Sequence, residues 1–333
     1  MYRSILKVFD AMSATATSVN LQHESQFLFY LRFLAFPALA ILLYPPFVMG
    51  YGGNHPIVQV TWVAVLTYCW FCVGGSFHES THETLFRSPG ANRWAGRMTG
   101  LLIGIPYTVY RETHRRHHAC LNTPGDYELW PYSDPATSLG FRRVFVWLDL
   151  IFGVVTAPYI YGRIYFCNAP KLTKETRRTI FTEYLALAFF WTAIVVGIAV
   201  YGNARGFDWS RFNPVWLLPM ILSPVANTAR KFVEHVGLTS NEPWLGTRTV
   251  VDGNPLSRFF RYLNFDISVH GPHHRYPKAR HFELAPRLKQ YQEQNPDQPI
   301  PVFHSYAAAV WDTLPCLWTN PATGNSTTLE SAS

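Results

Sequence analysis

Residues 269–277 read VHGPHHRYP, placing His270, His273 and His274 in the pattern H-x-x-H-H. The same pattern stands at 114–118, HRRHH, giving His114, His117 and His118. A looser pair, His78 and His82, stands in HESTHE at 78–83. Helical positions four apart share a face, so each stretch can aim two or three imidazoles at one point. Pro272 weakens the case for a regular helix through the last of them. The side of a membrane on which VHGPHHRYP lies fixes how often the chain crosses.

A membrane is implied by composition. The chain has 333 residues, 48% hydrophobic and 16% aromatic, with only 15% charged. Soluble domains carry about 25% charged residues. The mean hydropathy of +0.01 is low for a chain that is mostly lipid-embedded, which points to a few spans plus a large polar portion. Apolar runs long enough to cross, or nearly so, lie at about 28–50, 57–77, 180–202 and 214–234. A further run at about 142–166 contains Asp149 and Pro158, costly or disruptive at mid-bilayer, and reads as interfacial.

Parity supports that division. For the three histidine stretches to share a face, the chain must cross an even number of times between the second and third. The runs 180–202 and 214–234 satisfy this, and a third span at 142–166 would not. Lys and Arg number thirteen in 78–179 and ten in 230–290, against none in 51–56 and two in 203–213. The positive-inside bias therefore puts the basic blocks, the histidines and both chain ends in the cytosol. The net charge of +7 suits anionic lipid headgroups, and no basic stripe with interleaved aromatics suggests nucleic acid.

The expected organisation is a cytosolic N-terminal segment (1–27), a membrane domain (28–318) and a disordered Ser/Thr-rich tail (319–333). Residues 1–26 are mixed polar and do not resemble a cleaved signal peptide. The stretch 284–303 shows little periodicity and reads as an extended arm. Cys69 and Cys72 form a C-x-x-C inside an apolar run and read as small hydrophobes.

HESTH also fits H-E-x-x-H, the zinc-protease pattern, with Glu79 as general base. Such a site needs one further ligand and gives no reason for H-x-x-H-H to occur twice. The boxed imidazoles exceed a four-coordinate zinc site and suit two metal ions. Imidazole accepts Zn, Cu, Fe or Ni, so the residues alone give a dinuclear, nitrogen-rich site and leave the metal open. Lone histidines such as His23, His55 and His304 read as surface or packing residues. His235, in ARKFVEHVG, is lone as well, but it ends the last apolar run at the depth of His78 and His82. Ligating histidines commonly donate their second nitrogen to a carboxylate. Glu79, Glu83, Glu112, Asp126, Glu234 and Asp266 are candidates, with Asp126 and Asp266 preferred.

These boxes, with NTPGDYELWP (containing Asp126 and Glu128) and HHRYP, resemble the membrane-bound fatty acid desaturase and hydroxylase superfamily over about residues 30–280. The resemblance implies an all-α integral membrane protein, four transmembrane helices under a cytosolic helical cap carrying a histidine-rich dimetal site. It implies two iron ions held by His78, His82, His114, His117, His118, His270, His273 and His274, and it strengthens His235 as a further ligand. It implies O2 as co-substrate and desaturation of an acyl lipid chain or, alternatively, hydroxylation or oxygenation of a fatty acyl, alkane or carotenoid substrate. No b-type cytochrome H-P-G-G motif is present, so electrons are expected from a separate ferredoxin-like or cytochrome donor. Where some members carry an Asn four residues before the additional histidine, holding a metal-bound water, this chain has Lys231.

Overall fold

The computed structural model describes residues 26–50, 55–167, 172–251 and 253–324; the expectations for 1–25, including His23, and for 325–333 lie outside the described residues. The chain is mostly helical. Helix α1 (Gln26–Val48), whose Phe33–Val48 portion is apolar, packs Phe36 and Ala40 on Cys69, Trp70, Cys72 and Val73 of α2 (Pro56–His82). The two cysteines are unbridged and buried, as expected of core hydrophobes.

At 27 residues α2 is about 40 Å long, more than a hydrocarbon core requires. Every residue of its last stretch, Gly75 to His82, is buried, so the first histidine pair sits inside protein. The helix stops at Glu83, whose left-handed φ of 63° turns the chain. Helix α3 (Pro89–Ile103), capped by Ser88 Oγ, leads through Gly104 (φ 79°) to α4 (Tyr107–Ala119), which carries the second box.

The run expected at the interface forms two helices, α5 (Leu139–Ile151) and α6 (Gly153–Phe166), bent by 118° at Phe152. Asp149 is fully buried there and is satisfied by Lys231 Nζ (2.8 Å), Thr156 Oγ1 (2.6 Å) and Tyr132 Oη (3.2 Å). Helix α7 (Lys174–Ala204) follows, with only Ile180 and Gly202 buried along its 31 residues. Such an apolar surface needs a nonaqueous environment. After two short 3₁₀ turns, α8 (Leu218–His235) brings the chain back to the histidines.

By length and composition, α2 and α7 can each cross a membrane, and α5 with α6 raises the number to three if that bent pair is one span. Neither α1 nor α8 meets the same measure among the described residues.

The remainder comprises α9 (Pro255–Leu263), α10 (His270–Arg275), α11 (His281–Gln294) and α12 (Tyr306–Thr319). Two-residue strands β1 (Thr249–Val250) and β2 (Val302–Phe303) pair in parallel, joining the chain before α9 to the chain before α12. Three expectations change here. Pro272 does not prevent a helix, because it stands in the first turn of α10, where its missing N–H has no carbonyl to meet. The arm expected from 284 is instead largely α11, whose Leu284 and Leu288, four apart, bury against Trp244 and Val269. Of the tail expected from 319, residues 320–324 are packed: Thr323 N–H donates to Tyr132 O and Gly324 N–H to Leu238 O.

Candidate metal centre

Nine histidines from four helices, α2, α4, α8 and α10, meet in two groups. His78, His82, His114, His118 and His273 form one; His117, His235, His270 and His274 form the other. Within each group one nitrogen from every residue lies within 4.8 Å of all the rest, and all nine side chains are buried. Adjacent residues divide between the groups: His117 from His118, and His273 from His274. A helix points successive side chains about 100° apart, so one H-H pair can serve two centres.

Carboxylates hold the second box. His114 Nδ1–H donates to Glu128 Oε2 (2.7 Å) and His117 Nδ1–H to Asp126 Oδ2 (2.8 Å). Asp126 is itself fixed, its Oδ2 accepting from Asn122 N–H and its Oδ1 from Leu129 N–H. Burial alone would raise the Glu128 carboxyl, but the His114 imidazole beside it outweighs that and holds it at about 2. For His117 burial pulls down and Asp126 pulls up, with a net rise. His118, His270, His273 and His274 are held well below the ordinary imidazole range, by burial first and by one another second. They are therefore neutral at pH 7, as metal binding requires.

The third box is held differently. His270 Nδ1–H donates to the Ile267 carbonyl (3.2 Å). Asp266, expected to support this box, instead accepts from His281 Nδ1 (2.8 Å) and Arg261 Nε (2.7 Å). Glu79 is a weak neighbour of His78 (3.4 Å to Nδ1), and its other oxygen accepts from Thr84 Oγ1 (2.6 Å). Sequence reasoning quoted Glu128 but gave it no role; its spacing two residues beyond Asp126 was the available signal. His55 and His304 are exposed and distant from the site, as expected of lone histidines.

These tautomers test whether cations fit. With Nδ1–H committed to Glu128, His114 presents a bare Nε2 lone pair, yet it faces Nε2 of both His82 (2.9 Å) and His118 (3.1 Å). His270 Nε2, bare for the same reason, faces Nε2 of His235 (2.8 Å) and His274 (3.1 Å). One lone pair cannot accept well from two donors. His273 Nε2 is buried with no hydrogen-bond partner at all. Nitrogens about 3 Å apart are what neighbouring ligands on one ion adopt when each bond is about 2.1 Å. One cation per group satisfies the set.

A model of the fatty acid desaturase family matches residues 54–306, which include all nine histidines. The chain belongs to the fatty acid desaturase family. Its members are oxidoreductases of lipid metabolism, and this chain carries their histidine clusters and apolar helices. It is 22% identical over 228 residues to the fatty acid desaturase of Bacillus subtilis (strain 168), a stretch covering 62% of this chain and 61% of that protein. It is 22% identical to the sn-1 acyl-lipid omega-3 desaturase (ferredoxin) of Synechocystis sp. (strain ATCC 27184 / PCC 6803 / Kazusa), over 76% of this chain and 73% of the relative. A sphingolipid delta(4)-desaturase of Gallus gallus is 24% identical, over 76% and 68% respectively. This membership sets aside the H-E-x-x-H protease reading; His78 and His82 share their group with three further imidazoles, and Glu79 is turned to Thr84.

Beside the five-histidine group lies a cavity of about 310 Å³, lined by His78, Glu128, Phe77, Tyr110, Tyr161 and Trp191 among other residues of α2, α6, α7 and α8. Tyr110 stacks on His114, with ring centroids 5.2 Å apart and planes 9° apart. A larger apolar groove of about 970 Å³ runs between α2, α8 and α9, and none of the nine histidines lines it.

Proposed function

We propose that this protein is a diiron acyl-lipid desaturase, using O2 and two externally supplied electrons to introduce a double bond into a lipid acyl chain. The observation that carries this is the convergence of nine buried imidazoles into two groups whose inner lone pairs lack sufficient protein donors. Two iron ions bound there would supply the oxidant that removes hydrogen from an unactivated C–H bond.

The chain's own residues do the rest. His78, His82, His114, His118 and His273 hold one ion; His117, His235, His270 and His274 hold the other. Glu128 and Asp126 fix the tautomer and orientation of His114 and His117, and the Ile267 carbonyl does so for His270. Arg248 secures the end of α8, and with it His235, by donating from Nη1 to the Val236 carbonyl (2.7 Å). The cavity beside His78 receives the acyl chain, and its apolar and aromatic walls exclude water from the reacting carbon.

In this reading α1, α2, α7 and α8 are the four spans, the α5–α6 pair lies at the interface, and the cap and both basic blocks are cytosolic. The 118° bend and the buried Asp149 favour an interfacial α5–α6 over a third crossing between the boxes. The Synechocystis relative is named for a ferredoxin donor. A separate ferredoxin-like or cytochrome protein is the donor that suits the basic face here.

Lipids extracted from cells expressing the chain, analysed by mass spectrometry beside iron analysis of the purified protein, test the proposal. The expected product has lost two hydrogens. A product that has gained one oxygen instead identifies a hydroxylase on the same scaffold. Unchanged lipids together with bound zinc would defeat the diiron reading.

A further inference from the structure

The two histidine groups are unequal, five imidazoles against four, and the smaller has an acidic neighbour. Glu234 Oε2 lies 3.5 Å from His270 Nε2. That nitrogen is the one already facing His235 and His274, and its Nδ1–H is spent on the Ile267 carbonyl. With Glu234 ionised, a carboxylate oxygen and an imidazole lone pair face each other in a buried site, acceptor against acceptor. Glu234 is 2% exposed, so water does not screen this repulsion. Arg230 Nη1 donates to both carboxylate oxygens (3.1 and 3.2 Å) from the preceding helical turn. Lys231, the nearer candidate for this space in sequence, is turned away to Asp149.

A cation between the two acceptors removes the conflict. Resting on the diiron reading, we propose that Glu234 is a ligand of the second metal, completing that centre with one carboxylate oxygen beside four imidazoles. Oxygen and nitrogen ligands placed cis on an ion with bonds of about 2.1 Å lie about 3 Å apart; Glu234 Oε2 is 3.5 Å from His270 Nε2 but stands outside the four-histidine group, so its side chain turns towards the ion to bind. One oxygen keeps its bond from Arg230 while the other binds the ion, and no proton or electron is exchanged. The consequence is an electronically asymmetric pair: a five-nitrogen centre beside the cavity, and a four-nitrogen, one-oxygen centre on the far side carrying one more negative charge.

Full-length protein purified in detergent, loaded with ⁵⁷Fe(II) under anaerobic conditions, tests this by Mössbauer spectroscopy without turnover. Wild type is expected to show two distinct ferrous doublets, and Glu234→Gln to shift or lose one while the other stays unchanged. Both doublets unchanged in Glu234→Gln, with two irons still bound, overturns the assignment. Wild-type protein that binds no iron defeats the diiron reading itself, a different result. Should Glu234→Gln fail to fold, the iron-loaded wild-type structure decides. An Oε atom within about 2.2 Å of the ion supports the proposal, and a carboxylate left on Arg230 beyond about 3 Å refutes it.

Discussion

The second and third histidine boxes share one sequence pattern and are held by different means. In α4 the supports are charges: Glu128 and Asp126 lie on the loop just after the helix and each grips one imidazole. In α10 the support is backbone and packing: Ile267 offers a carbonyl, and Val269 buries against Leu284 and Leu288 of α11. The acid that precedes the third box, Asp266, turns away from it, joining His281 to Arg261. A carboxylate behind an imidazole strengthens it as a ligand more than a carbonyl does. The second box is thus the more basic arm, and it contributes to both metal groups.

On the diiron reading the largest effects come from removing ligands, because the second and third boxes each feed both groups. His273→Ala is expected to abolish desaturation and to lower iron from two per chain towards one, leaving the four-histidine group loaded. His117→Ala should do the reverse, emptying the other group. Iron content and Mössbauer spectra of the two variants read this directly. Identical losses from both variants would show that the nine histidines form one inseparable cluster.

The supports are expected to rank next, and unequally. Glu128→Gln and Asp126→Asn keep the shape and remove the charge, so metal affinity or activity should fall by about 10–100-fold. Such variants are measured by iron titration against a competing chelator. Asp266→Asn should leave iron binding intact. Equal losses from all three would break the distinction between the boxes.

Access to the site can be separated from its assembly. Ala157, on α6, lines the cavity beside His78. Ala157→Trp should fill much of that space, cutting product formation at least about tenfold with iron retained, whereas Ala226→Trp, in the groove that no clustered histidine lines, should have the smaller effect. Lipid analysis and iron content of the same preparations distinguish a blocked cavity from a lost metal.

Much of the site was legible because its signal is local. Spacing of four on a helix put His78 with His82 and His114 with His118, and depth along the last apolar run marked His235. Partners that depend on the path of the chain were less legible. Asp266 stands one helical turn before His270 on paper, but Phe265 and Asp266 both adopt left-handed φ (55° and 48°), so the chain reverses there and the helical spacing does not apply. Asp126 lies against the box it follows and Asp266 does not, because a tight turn returns Asp126 to its helix; Asp126 N–H donates to Thr123 O (2.9 Å). Gly75 shows a constraint that only the fold reveals: a Cβ there would collide with Asn264, where the approach to the third box presses on α2. The two long apolar helices were legible from hydropathy alone, whereas the packing of residues 320–324 rests on single backbone bonds that composition does not encode.

The smallest expected effect belongs to Asp266 itself, and it is one of stability. Its carboxylate is held below the usual range: burial pushes it up, and the hydrogen bond from His281 with the charge of Arg261 outweighs that. A depressed carboxyl stabilises the fold above its unfolded value of about 3.9, and this contribution fades as pH falls through the lower, folded value. At pH 7 it is fully present. Asp266→Asn leaves Arg261 and His281 without their acceptor and should cost about 1–3 kcal/mol, seen as a lower unfolding temperature. As pH falls through the lower, folded value the difference between wild type and variant should shrink, since wild-type Asp266 then protonates. A drop in bound iron at pH 7, with the unfolding temperature unchanged, would place Asp266 behind the third box after all and make the two boxes alike.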